Sequence, residues 1–430
     1  MKSYYFNKKI LIAIIAAPII FFILMTLTQF IPNSWVSSNV EKSRDIIKAE
    51  SFYHDAYHVP QTHWLAGSDG YSDDIFLQQQ IADRSHGVFY GAMMPSYDRY
   101  WHGYSIFLRP LLVFFDLSYI RQILVLCFIL LLTVLAVLIA RHISLTVAIL
   151  FSAALALVNP PVIMISLQYS NMFLLMLLVS VILMLLLAHR RPKHEILLFF
   201  AIAGCLTSFF DLLTTPSITL GVPLLLYIAF RIKHKDQKDL FKDVLLSIVL
   251  WGAGYFIVWF SKWLIGSLIL HRNIFVDATQ KILFWSADSS SITNTTESTA
   301  SLSIFTVLGD WINRLVIYWP ILFTAVVSLG VALIIKFKVH KGAFRFNIFT
   351  LLALVVVTII PIAWIILARQ HSFNHQWFSY RHLIILLFGV SLIIWYIGAS
   401  KTNINFRSIS LKIHNRAKRL AVALFGENKN

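Results

Sequence analysis

Long apolar runs broken by short polar segments dominate the chain. Residues 10–31, "ILIAIIAAPIIFFILMTLTQFI", hold no charged side chain, and residues 351–368, "LLALVVVTIIPIAWIILA", are built the same way. An unbroken run of about 20 apolar residues is what a helix needs to cross the ~30 Å hydrocarbon core of a bilayer. A helix is favoured there because it satisfies its own backbone polar groups where no water can. Further spans are predicted near 120–140, 143–158, 162–188, 196–213, 217–230, 244–269, 315–335, 347–368 and 382–398, about ten in all. The first run follows Lys8 and Lys9. It is longer than the ~7–15-residue apolar core of a signal peptide and no small-residue cleavage site follows, so a retained span is expected.

Two polar segments, 32–119 and 271–314, far exceed the ~4–6 residues of a usual connection. With a cytoplasmic N-terminus both fall outside. The basic clusters "HRRPKHE", "RIKHKDQKDLFK" and "KFKVHKGAFR" and the tail 401–430 then fall inside, as the positive-inside rule requires. The pattern predicts an all-α, multi-pass protein of the cell membrane with both termini cytoplasmic. Its transmembrane domain is 1–400, and its basic tail carries an amphipathic surface anchor, "SLKIHNRAKRLAVALF".

Composition sharpens this. The chain is 58% hydrophobic and 13% charged, against about a quarter charged in soluble domains. Of its 36 Lys and Arg about two thirds lie on the predicted inner side, so the net charge of +16 reports orientation and contact with anionic lipid. Nucleic acid is not an expected partner; the lipid bilayer is. Cys127 and Cys205 sit in apolar runs without a partner at short spacing, which argues against a metal cluster or a disulfide framework. There is no Walker loop, HExxH, CxxC or nucleophile elbow. Chemistry is therefore expected on the outer side, where the long segments are.

Of those segments, the second carries "SADSSSITNTTESTASLS", a stretch with little to bury that reads as a lid or spacer. The first is richer. It holds "GSDGYSDDIF", with Asp73 and Asp74 adjacent, and "YSIFLRPLLVFFDL", too short and interrupted to span and expected to lie along the surface as one or two interfacial helices.

"SDDIFLQQQIADR" followed by "YWHGYSIFLRPLL" resembles the first outer loop of the GT-C membrane glycosyltransferases, in which an acidic pair opens a short helix and an aromatic motif follows. "SLTVAILFSAALALVNPPVIMISLQYSNMFLLMLLVSVILMLLLAHRRPK" is similar to that family's paired third and fourth spans, and "SYRHLIILLFGVSLIIWY" resembles its late arginine motif at the outer start of a span. Two departures stand out: the acidic pair lies farther from the first span than in that family, and "WHG" replaces a lysine-proline-proline core. The resemblance implies a GT-C-like fold and a hexosyl- or pentosyltransferase. Such an enzyme moves a sugar from a polyprenyl-phosphate donor to an envelope glycan, lipid or protein acceptor on the outer face. It carries the catalytic acids onto Asp74 and Asp73 and the arginine onto Arg381.

Sugar transfer from a lipid phosphate needs a base for the acceptor proton, commonly worth ~10²–10⁴ in rate, and a fixed cation for the departing phosphate. Adjacent residues on a helix do not share a face, so Asp73 and Asp74 divide into one base and one N-cap, Asp74 matching the family's second acid. Arg381 either grips phosphate bidentately or snorkels to headgroups. His102, Trp101 and Tyr104 suit sugar stacking or an interfacial aromatic belt. Arg109 and Arg99 are alternative phosphate ligands or headgroup contacts. Asp211, in "FFDLLTTPS" at the outer end of the fifth span, is either functional or a cap before a helix-starting proline. No cofactor is called for. His371 and His375, four residues apart, would need a third ligand to hold a divalent metal. Two other classes compete: a transporter or lipid-glycan flippase, for which paired halves and charges deep in the spans would be expected, and a non-catalytic envelope scaffold.

Overall fold

The first apolar run forms α1 (Lys2–Thr28), and the chain then turns into a set of short elements packed against one end of a helical bundle. The computed structural model describes all residues except 1, 51–54, 60–63, 68–69, 82, 84–85, 287–302, 316–346 and 400–430. α2 (Asn33–Glu50) buries Val36, Val40, Ser43 and Ile47, a single stripe at helical spacing. A two-stranded antiparallel hairpin follows, β1 (Asp55–Val59) with β2 (Trp64–Gly67), pairing Asp55 with Gly67 and Val59 with Trp64. Then come α3 (Gly70–Gln78), α4 (Val88–Ala92) and α5 (Ser105–Phe114). The apolar stripe of α2 joins Phe76, Leu77, Leu108 and Leu112 in one cluster. Polar clamps fix it further: Asn39 donates to the Leu112 carbonyl at 2.9 Å, and Arg121 pairs with Glu50 at 2.7 Å.

The bundle proper begins with α6 (Leu117–His142), started by Asp116, whose side chain accepts the Ser118 N–H at 3.0 Å. Only 17% of this span is buried, and Leu126, Ile129 and Leu130 stand exposed on it, as a lipid-facing surface requires. α7 (Leu145–Ala156), capped by Ser144, has 12 residues, about 18 Å of helix. The predicted span at 143–158 is thus too short to cross. The run predicted as one span over 162–188 is broken: α8 (Pro160–Ile165) ends at Ser166, whose hydroxyl caps the start of α9 (Leu167–Ala188).

α10 (Lys193–Phe210) and α11 (Ile218–Lys233) follow. Every residue of α11 from Ile218 to Phe230 is buried, so this helix, predicted as an ordinary span, is a central strut ringed by protein. Its 16 residues give about 24 Å. α12 (Leu240–Leu270) packs against α10 at glycines: a methyl added at Gly204 would lie 2.0 Å from the Trp251 carbonyl oxygen, and one at Gly254 2.3 Å from that of Ala201. Small residues let two helix backbones approach closely.

α13 (Ile274–Ser286) and α14 (Ile304–Asn313) lie at the same end as α2–α5. α15 (Ile348–Thr358) and α16 (Ile360–Leu367) form one apolar run bent by 43°, with Pro361 just after the break, where a missing N–H interrupts the ladder. α17 (Arg369–Asn374), α18 (Gln376–Ser379) and a 3₁₀ turn (Tyr380–His382) lead into α19 (Leu383–Ala399). Among the described residues six helices are long and apolar enough to cross a membrane, seven if the bent pair is one span. The protein is a multi-pass helical membrane protein, and the bilayer is its partner. The predicted span at 315–335 except its first residue, the Ser/Thr-rich stretch at 287–302 and the tail 401–430 lie outside the described residues.

Candidate functional site

Distant segments meet at the end of the bundle that carries α2–α5 and enclose a cavity of about 270 Å³. α3 contributes Tyr71, Ser72 and Ile75; the loop after α4 contributes Tyr97 and Tyr100; the first turn of α9 contributes Gln168. Trp285 closes it from α13, opposite His371, His375, Trp377 and Phe378 of the segment before α19. The volume is at the small end for ligand pockets. The lining is aromatic with a few polar groups, and among the described residues no carboxylate lines it.

His371 and His375 stack with ring centroids 4.6 Å apart and planes at 26°, and the edge of Trp285 meets both. Such stacking suits neutral imidazoles. Burial, helped by His375 and His382, holds His371 well below the usual histidine range. Among the described residues no group of three ligand-type side chains that could hold a metal forms here or elsewhere. Nδ1 of His371 and Oε1 of Gln168, both in the lining, are buried without a hydrogen-bond partner among the described residues, while Gln168 Nε2 donates to Thr214 Oγ1 at 3.0 Å. Leaving such atoms unmade costs ~1–3 kcal/mol each, which a bound polar molecule would recover.

Arg381 lies one turn behind this wall. Its Nη1 donates to the carbonyl of Trp377 at 2.8 Å, and its guanidinium sits 4.1 Å from the ring centre of Tyr169. It is 1% exposed, and its Nε has no protein partner. Arg314, just after α14, donates to Gln376 and is close enough to Arg381 that the two charges repel. Burial first, and Arg381 in addition, lower its pKa. One buried guanidinium, Arg381, and one half-buried, Arg314, beside one cavity form a positive spot suited to a phosphate.

The acidic pair does something else. The Asp73 carboxylate accepts the Ser166 hydroxyl at 3.0 Å and the backbone N–H groups of Leu167 and Gln168, both at 3.1 Å. It therefore caps α9, a helix far along the chain, where carboxylates are favoured by the exposed N–H groups and the helix dipole. Asp74 pairs with Arg44 of α2 at 2.6 Å and accepts from Gln78 at 2.5 Å. The two face different partners, as adjacent helix positions must.

The aromatic patch is internal rather than a belt. Trp101 donates to the Val258 carbonyl at 2.7 Å, and Tyr104 stacks on Phe76 at 3.8 Å. Burial drives His102 down to about 3. The neutral ring donates from Nε2 to the Tyr97 carbonyl at 2.6 Å, leaving Nδ1 to accept from the Tyr104 hydroxyl at 2.9 Å. Arg99 pairs with Asp277 at 2.6 Å, and Arg109, fully buried, donates to the Ile31 carbonyl and to Asn33. Asp211 ends α10 and accepts the N–H groups of Leu213 and Thr214, both at 2.9 Å. Burial outweighs those bonds and pushes its carboxyl up to about 7. It is near enough to raise the pKa of both Tyr97 and Tyr100 in the cavity wall.

Of the side chains singled out from the sequence, His371 and His375 line the cavity, and none of the other nine does. Asp73, Asp211 and Arg381 stand directly behind it, next to the lining residues Ser72, Leu212 and Trp377. Asp74, Arg99, Arg109, Trp101, His102 and Tyr104 are engaged in holding the surrounding elements together. The residues missed were Gln168, Trp285, Trp377 and Arg314. For Trp377 a signal was available, the density of His and aromatic residues in "RQHSFNHQWFSYRH"; for Gln168 and Arg314 there was none, since both are isolated polar residues beside apolar runs. No family model, curated protein or solved structure matches the chain.

Proposed function

We propose that the protein is a membrane glycosyltransferase of GT-C-like architecture. In this reading it takes a sugar from a polyprenyl-phosphate donor and adds it to a cell-envelope acceptor at the outer face. One observation carries the reading: the segments that resemble that family, around Asp73, Tyr100, Gln168 and Arg381, converge on a single aromatic cavity with two arginines beside it, Arg381 buried and Arg314 half-buried. Aromatic rings give a sugar ring flat apolar faces to stack on, and the orphan Gln168 Oε1 offers an acceptor for one of its hydroxyls.

In this mechanism Arg381 and Arg314 hold the donor phosphate. The acceptor hydroxyl gives its proton to a neutral imidazole of the stacked pair, assigned to His371, whose buried Nδ1 makes no hydrogen bond among the described residues. The acceptor oxygen bonds to the anomeric carbon, the bond from that carbon to the phosphate oxygen breaks, and the phosphate leaves with the electron pair. Asp73 positions Gln168 by fixing the start of α9, and Asp74 positions α3 against α2. The fixed guanidiniums supply stabilisation that needs no rearrangement as charge develops.

The test uses the full chain in detergent with radiolabelled undecaprenyl-phosphate hexoses and pentoses and envelope extracts as acceptor. Sugar should move to the acceptor and free polyprenyl phosphate should appear. Arg381→Ala and His371→Ala should each lower the rate by about 10²-fold or more. Uptake or flipping of lipid-linked sugar in vesicles, with no sugar transfer, would overturn the proposal in favour of transport.

A further inference from the structure

The other end of the bundle has a larger cavity, of about 530 Å³, between the turn joining α9 to α10 and the turn joining α11 to α12. α9 has 22 residues, so about 33 Å of helix separates this cavity from the aromatic one. Five cations line it: Arg190, Arg191, Lys193, Arg231 and Lys238. Of the three carboxylates in the same lining, Asp243 and Asp236 are ion-paired and, among the described residues, Asp239 is not, so the cations still outnumber the unpaired carboxylate. Asp243, 2% exposed, pairs with Lys193 and Arg231, and Asp236 pairs with Arg231. Arg190 and Lys238, by contrast, use only their backbone in hydrogen bonds, and their charged ends have no partner among the described residues.

Two further features sharpen the chemistry. α10 and α12 both begin here, at Pro192 and Asp239, and neither start carries a side-chain cap, so helix dipoles add positive potential. Below the cations the lining turns apolar with Leu187, Ile196 and Phe230. This is the level at which the spans end at Ala188 and begin at Lys193. Basic pockets between helices at headgroup depth recognise lipid phosphates.

We propose that this cavity binds the phosphate of an anionic phospholipid headgroup. Arg190 and Lys238 are the free grips, Lys193 and Arg231 are held in place by Asp243, and the apolar wall takes the first part of the lipid chain. A free phosphate would meet the cations but gain nothing from that wall. The site lies at the far end from the proposed chemistry and does not depend on it.

Full-length protein in a neutral detergent is titrated with phosphatidylglycerol, with phosphatidylcholine and inorganic phosphate as parallel arms. Retained lipid is read by native mass spectrometry and the unfolding midpoint by a thermal scan. Phosphatidylglycerol should be retained and raise the midpoint, and the other two should not. Arg190→Ala combined with Lys238→Ala should weaken retention by about fivefold per cation, about 30-fold for the pair, with the lipid-free midpoint unchanged because both side chains are exposed and unpaired. Lys42→Ala with Lys281→Ala, at the other end, should leave retention intact. Equal retention by wild type and the Arg190/Lys238 variant, or equal protection by inorganic phosphate, overturns the assignment.

Discussion

The Asp73 carboxylate accepts the backbone N–H of Gln168, 95 residues later in the chain. One short helix of the outer segment is thereby locked to the start of a span, and the same bond fixes Gln168 in the cavity wall.

Because those N–H groups are buried, Asp73→Ala should cost about 3 kcal/mol, the price of orphaning donors that bonded a charge. Asp73→Asn keeps an acceptor oxygen and should lose about half as much. Thermal unfolding in detergent measures both. A large loss of sugar transfer in Asp73→Asn with an unchanged midpoint would instead make Asp73 the base.

The Arg44–Asp74 pair is half open to solvent on one side, with Arg44 33% and Asp74 9% exposed. A double-mutant cycle of Arg44→Gln and Asp74→Asn should give a coupling of only about 0.5–1 kcal/mol. The coupling should shrink as salt is added, since exposed charges are screened.

Gly204→Ala and Gly254→Ala should each destabilise by about 1–3 kcal/mol, because the added methyl meets backbone across the α10–α12 contact. Gly252→Ala, on the same α12 but with nothing within 4 Å of the new methyl, should be neutral or stabilise by up to about 1 kcal/mol. Similar losses at all three positions would mean that helix contact is not the cause.

Asp211 makes stability depend on pH with a definite sign. Its folded carboxyl is raised to about 7, against about 3.9 in an unfolded chain. The folded state thus holds the proton more tightly. Its contribution is fully present below about pH 4 and is lost as pH rises through about 7, by up to about 4 kcal/mol. Comparing Asp211→Asn with wild type isolates this group: the difference between their unfolding midpoints should change across that window and level off above it. A constant difference from pH 4 to 8 would contradict a raised carboxyl.

Much of the architecture was legible along the chain. The apolar runs at 10–31 and 120–140 became α1 and α6, because burial in lipid depends on a property each run carries by itself. Asp116, Ser144 and Asn347 start helices where their short side chains reach N–H groups two or three residues ahead. Local chemistry also gave a short helix in the stretch that became α5, although not its neighbour α2, whose apolar stripe is diluted by charged residues. The span expected at 162–188 is present as Leu167–Ala188, its start set by the Ser166 cap, whereas the run at 143–158 yields only a 12-residue helix and α11 is apolar because protein surrounds it, a distinction hydropathy cannot make.

The site was legible only as a neighbourhood. Sequence alone determined which segments carry acids, arginines and aromatic rings, and on which side of the membrane a charge-based topology puts them. Only the tertiary structure decided that Asp73 caps a distant helix, that Asp74 answers Arg44, and that Arg314 stands beside Arg381. It also decided that Gln168, Trp285 and Trp377 face one another across a cavity. A cap or a span is set by residues a few positions apart, whereas a partner 95 residues away depends on how whole helices pack, and no short stretch of chain encodes that.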